Sequence, residues 1–222
     1  MQRRAKQEKT SNTKSNWIDL VSAGDAAAKR GKHQEASRAF KKALEAARRS
    51  GAVDLELLMK LGDSYMKHWD ADQALKAYQE AHQMLQGRSE GRHISEETAE
   101  LFFKIGLAFS EKGDFSSALK TFKASRSDFE ATCGLNSKRG AELLINIGDM
   151  QTQLADLAAA LKEYELAHDI LAAEGALQSK ASASLLSNMG SLYAQAGNVK
   201  SAMEKFQEAG IIMEEHGIVQ SP

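Results

Sequence analysis

The sequence predicts an all-α protein, a solenoid of five antiparallel helix pairs, and three observations carry that expectation. Its 222 residues include one proline, Pro222, among abundant Ala, Leu, Glu, Lys and Gln, so little interrupts long helices. Apolar residues recur at offsets of three and four, which places them on one helix face. Five glycines, Gly24, Gly62, Gly106, Gly148 and Gly190, head a pattern that repeats along the chain.

Twelve residues after each glycine stands Ala36, Ala74, Ala118, Ala160 or Ala202, and four residues further an aromatic: Phe40, Tyr78, Phe122, Tyr164 or Phe206. Successive glycines are 38, 44, 42 and 42 residues apart, so the spacing is constant inside the unit and varies between units. The first helix of each unit is marked by a large apolar group four residues before the glycine: Leu20, Leu58, Phe102, Leu144 or Leu186. Three residues after the glycine come Ala27, Tyr65, Phe109, Gln151 and Tyr193 on the same face. The turn follows. Eight residues after the glycine lies Asp70, Asp114, Asp156 or Asn198, with Lys32 as the exception, and Gly31, Gly113 or Gly197 precedes in three units. Glycine closes one helix in a left-handed cap and Asp or Asn opens the next. Each unit is thus a helix, a tight turn and a second helix.

The small residues predict a close helix crossing, with Gly and Ala removing bulk where the backbones meet. A bulky residue at Gly106 or Ala118 would overpack it, at a cost of about 1–3 kcal/mol. In chain order the frame gives a basic polar tail (1–15), units at about 17–50, 55–88, 99–134, 141–175 and 183–216 within a repeat domain of 16–216, and a short end (217–222). Units of 38–44 residues leave room for helices of more than ordinary length, with GRSEGRHIS (87–95) as the clearest loop.

The segments LMKLGDSYMKHWDADQALKAYQEA, LFFKIGLAFSEKGDFSSALKTFKAS, LINIGDMQTQLADLAAALKEYELA and LSNMGSLYAQAGNVKSAMEKFQEA resemble the tetratricopeptide repeat family. The likeness covers about residues 16–216; the usual closing proline is missing, and Gln151 stands where an aromatic is usual. The long units are similar to those of kinesin light chains and of the Leu-Gly-Asn-repeat polarity adaptors. The resemblance implies a right-handed superhelix whose first helices line a concave, peptide-holding surface. Co-chaperone repeats of the same family clamp carboxylate-ended tails with paired Lys, Asn and Arg. Here the corresponding positions hold Val21 and Asp25, then Lys60, then Glu100 and Lys104, so that partner class is not expected.

On the first helices, the columns nearest the glycines supply Met59, Lys60, Asp63, Phe103, Lys104, Asn146, Asp149 and Asn188 as candidate partner-binding residues. Their polar groups suit the peptide bonds of a bound segment, and Met59 and Phe103 suit its apolar side chains. The competing reading is a solvated face paired within itself, for example Lys60 with Asp63. On the last helix, Met203, Phe206, Ile211, Ile212 and Met213 suggest an apolar edge open to self-association, or else one satisfied by its own partner helix.

Net charge is −1, yet residues 1–50 carry 13 Lys and Arg against 5 Asp and Glu. Arg3, Arg4, Lys6, Lys9 and Lys14 read as a solvated tail or as an electrostatic dock for an acidic surface such as tubulin. No aromatics interleave with them, which argues against nucleic acid. The single cysteine, Cys133, excludes a disulfide framework and points to a reducing compartment. No run of apolar residues reaches the roughly 20 needed to span a membrane. The six histidines form no ligand-spaced pair, and no phosphate-binding glycine motif occurs. The expectation is therefore a cytoplasmic, non-catalytic adaptor with no cofactor and no metal, holding a partner peptide or helix in its groove. The alternative is a structural component of a cytoskeletal, microtubule or axonemal assembly that uses the tail and outer surfaces.

Overall fold

The computed structural model describes residues 17–87 and 94–215, and every regular element among them is α-helical. Residues 17–29 form α1. It is followed by α2 (His33–Ser50), α3 (Leu55–Lys67), α4 (Ala71–Gln86), α5 (Glu96–Glu111), α6 (Phe115–Thr132), α7 (Lys138–Gln153), α8 (Leu157–Ala173), α9 (Lys180–Gln195) and α10 (Val199–Glu215). The described chain divides into two compact units, one of residues 17–87 with 107–113, the other of 94–106 with 114–215. The tail residues Arg3, Arg4, Lys6, Lys9 and Lys14, most of the expected 87–95 loop and the end beyond 215 lie outside the described residues.

Side-chain caps determine where the helices begin. The carboxylates of Asp70, Asp114 and Asp156 and the amide oxygen of Asn198 accept from the backbone N–H three residues on, at 3.1–3.3 Å, and open α4, α6, α8 and α10. Lys32 offers α2 no such cap. The first helices use a signal that the repeat frame passed over. Ser137 and Ser179 cap α7 and α9, Asp54 caps α3, and Ser95 and Thr98 cap α5 reciprocally. These serines start α5, α7 and α9 three residues ahead of the expected unit starts.

The turn inside each pair has one backbone form. Gly31, Gly113 and Gly197 adopt the left-handed region, as expected, but so do Trp69 (φ 67°) and Ala155 (φ 62°) at the equivalent places. The conformation is held by the hydrogen bond of the next residue's N–H back to the last helical turn, as from Asp70 to Tyr65 O (3.0 Å) and from Asp156 to Gln151 O (2.8 Å). A side chain there costs about 1–2 kcal/mol relative to glycine.

The repeat glycines meet aromatic rings. Ala36, Ala74, Ala118 and Ala160 are fully buried, but a Cβ added at Gly24, Gly62, Gly106, Gly148 or Gly190 would collide with the ring of Phe40, Tyr78, Phe122, Tyr164 or Phe206 respectively. The glycine therefore makes room for the ring sixteen residues later, which refines the expected contact with the alanine backbone. Four of these rings are at most 1% exposed, whereas Phe206 is 44% exposed. In the second unit a buried polar cluster ties α5 to α6: Thr98 donates to the fully buried Asp128 (3.1 Å), and Ser125 donates to Ala99 O (2.7 Å).

Candidate functional site

The residues expected to hold a partner sit on the first helices, and the structure gives most of them work inside the fold. In the first unit, Lys60 on α3 binds Asp25 of α1 and Glu56 of its own helix, each at 2.9 Å. Its expected internal partner, Asp63, instead accepts from the Tyr78 hydroxyl at 2.7 Å. Partial burial works against the Lys60 ammonium, but the two carboxylates outweigh it and hold its pKa above the ordinary lysine value. Met59 is half-buried beside it.

In the second unit, Phe103 is not available for apolar contact. It is completely buried, tilted against Phe122 with ring centroids 5.6 Å apart, and the Arg139 guanidinium lies 4.0 Å over its ring. Phe103 lies on the arc of α5 that meets α6 and α7, not on the outward arc. Arg139, which the repeat columns did not mark, also pairs with Glu100 of α5 and with Glu142. Burial lowers the affinity of Arg139 for its proton, and both carboxylates more than restore it. Lys104 lies 3.7 Å from Glu100, and Asn146 Nδ2 donates to Glu142 O at 2.8 Å.

Asp149 and Asn188 form one cluster with Tyr164. The tyrosine hydroxyl and Asn188 Nδ2 both donate to Asp149 Oδ1, at 2.6 and 2.7 Å. Burial raises the Asp149 pKa above the ordinary carboxylate value, and these two hydrogen bonds offset only part of the rise. The same burial, with the neighbouring carboxylate, pushes the Tyr164 hydroxyl strongly upward. A sequence signal for this coupling existed. The residue after the repeat glycine is Asp63 and Asp149 where the ring is Tyr78 and Tyr164, but Leu107 and Ser191 where it is Phe122 and Phe206. Asp25, opposite Phe40, completes the set by pairing with Lys60.

On α10, Met203 (56%), Phe206 (44%) and Ile211 (58%) are exposed, as is Val199 at the start of the helix. Ile212 is buried and Met213 half-buried, so these two do not belong to the expected edge. They pack instead with Ala183, Leu186 and Ala209, inside the pair. Cys133, at the end of α6, is exposed. Among the described residues no three His, Cys, Asp or Glu groups are gathered to hold a metal, and no helix is long and apolar enough to cross a membrane.

Residues 21–88 match the tetratricopeptide repeat family model. The comparison with curated proteins gave no match. Among solved structures, BtubC (BKLC) from P. vanneervenii is similar over 99% of this chain and 88% of its own, with a TM-score of 0.75 and 20% identity. A kinesin-light-chain-type protein of Podosopora anserina with nearly identical TPR-like repeats is similar over 91% of this chain and 97% of its own (TM-score 0.72, 11% identity). A chain of the APC/C hetero-tetramer Cut9-Hcn1 is similar over 87% of this chain and 32% of its own (TM-score 0.66, 18% identity). The fold is thus the all-α tetratricopeptide-repeat solenoid that the sequence leads one to expect.

Proposed function

We propose that this tetratricopeptide-repeat chain is a non-catalytic interaction scaffold, and that its second unit holds an extended or helical protein segment across the outward faces of α5, α7 and α9. The observation that carries the reading is a row of partly exposed polar side chains on two successive first helices, Lys104 of α5 and Arg139, Glu142 and Asn146 of α7, above a completely buried layer. The Cut9-Hcn1 hetero-tetramer supports it as a case of a similar fold inside a protein complex. Donors and acceptors of this kind suit the peptide groups of a bound segment. Phe103, Asp149 and Asn188 then serve the surface from beneath, by fixing the spacing of its helices. Met59 and Lys60, with Asp25, offer a smaller face of the same type in the first unit.

The test pairs Lys104→Ala with Asn146→Ala. Partners captured from the native cell by the parent chain should be lost by the double variant, with helicity and melting temperature nearly unchanged, and crosslinks should map to α5, α7 and α9. Full retention of the partners by a folded double variant would remove this reading.

A further inference from the structure

The turn between α3 and α4 carries the least economical residue in the molecule. Trp69 is 80% exposed and has a left-handed backbone, at the place where three of the five turns use glycine and one alanine. An indole in that position gains little from burial and strains its own backbone, so neither packing nor turn geometry accounts for it. Its surroundings do suggest a use. Trp69 walls an open groove of about 430 Å³ with Lys67 and His68 of its own turn and with Gly31, Lys32 and His33 of the preceding turn, all within the first unit. The His68 ring is held in place, Nδ1 against Ser64 O at 2.7 Å and the ring face tilted toward Tyr65.

The groove is also lined by Glu35, so its wall carries two lysines, Lys32 and Lys67, against one carboxylate. Lys67 is exposed at the end of α3, and Arg30, outside the lining, is exposed next to its Gly31, while Glu35 pairs with Lys32 (3.0 Å), Asp72 with Lys112 (2.6 Å), and Asp70 caps α4. We infer that this turn is a second docking site, in which Trp69 receives an apolar side chain of a partner segment whose acidic residues meet Lys67 and Arg30. Exposed tryptophan ringed by charge is the composition of an interface anchor. The site is separate from the helix-face surface proposed above and does not depend on it.

The experiment selects a display library of random twelve-residue peptides on the full chain, then titrates each enriched peptide against the parent, Trp69→Gly, Lys67→Glu, and the Lys104→Ala, Asn146→Ala double variant. Enriched peptides should carry acidic residues beside Leu, Phe or Trp, and Trp69→Gly should weaken them about tenfold or more. The melting temperature of Trp69→Gly should not fall, because glycine suits that backbone. Lys67→Glu should weaken the same peptides, and the helix-face double variant should bind them normally. The proposal is overturned if no peptide is enriched, if the enriched peptides bind Trp69→Gly as well as the parent, or if they lack acidic residues. Loss of binding only in the double variant would support the helix-face surface and overturn this one.

Discussion

Tyr164 on α8 donates its hydroxyl proton to Asp149 Oδ1 on α7 at 2.6 Å, and Asn188 on α9 reaches the same oxygen at 2.7 Å. Three helices of the second unit are thereby joined at one carboxylate. The ring of the same tyrosine fills the space left by Gly148, so the tyrosine packs the pair while the carboxylate it binds ties the pair to the next helix. Replacing Tyr164 with Phe keeps the packing and removes the bond. We expect a loss of about 1.5–3 kcal/mol in urea unfolding, the range for a hydrogen bond to a charged group. An unchanged midpoint would show that the bond adds nothing to packing.

The raised pKa of Asp149 predicts a pH dependence whose sign is definite. A carboxyl that titrates higher in the folded than in the unfolded state binds more protons when folded, so its stabilising contribution is complete below the unfolded value of about 3.9 and is lost as pH rises through the folded value. Asp149→Asn mimics the protonated form and retains an oxygen for both donors. At pH 7 the variant should melt at or above the parent, and the difference should shrink as pH falls toward 4. Melting curves across that interval decide the matter, and a difference that grows toward acid would contradict the assignment.

Three glycine-to-alanine variants should rank by what their new Cβ meets. Gly148→Ala drives a methyl into the buried Tyr164 ring and should cost about 1–3 kcal/mol, beyond the gain of about 1 kcal/mol in helix propensity. Gly190→Ala meets Phe206 at 2.9 Å, but that ring is 44% exposed and free to yield, so a smaller loss is expected. Gly210→Ala meets nothing within 4 Å and should stabilise α10 by about 0.5–1 kcal/mol. Thermal melts of the three variants test the order, and equal effects would refute ring contact as its cause.

Gln151 occupies the aromatic column of α7 and is 4% exposed, with its Oε1 buried and lacking a hydrogen-bond partner. Methionine has nearly the same shape and no such acceptor to bury. Gln151→Met should therefore raise stability by about 1 kcal/mol, measured as a higher urea midpoint with an unchanged slope. A lower midpoint would mean that the amide does structural work.

Much of this protein was written in local sequence. The Asp and Asn that open the second helices, the glycines in three turns and the Gly-to-aromatic spacing act over one or two helical turns or a single hairpin, so a linear pattern records them. The positions of Ser95, Ser137 and Ser179 and the matching of Asp63 and Asp149 with Tyr78 and Tyr164 were equally present, as columns that only gain meaning once helices are side by side. Tertiary structure alone decided the rest. A helical period places Phe103 on α5 but does not say which arc faces α7, so its burial under Arg139 follows from the packing of the two helices. Lys60 had a carboxylate three residues away in Asp63, yet the hydroxyl of Tyr78 reaches that group and Lys60 turns to Asp25 on α1. Trp69 and Ala155 take a left-handed backbone that their residue types disfavour, because the hydrogen bonds closing the turn and the two packed helices outweigh the preference of one residue.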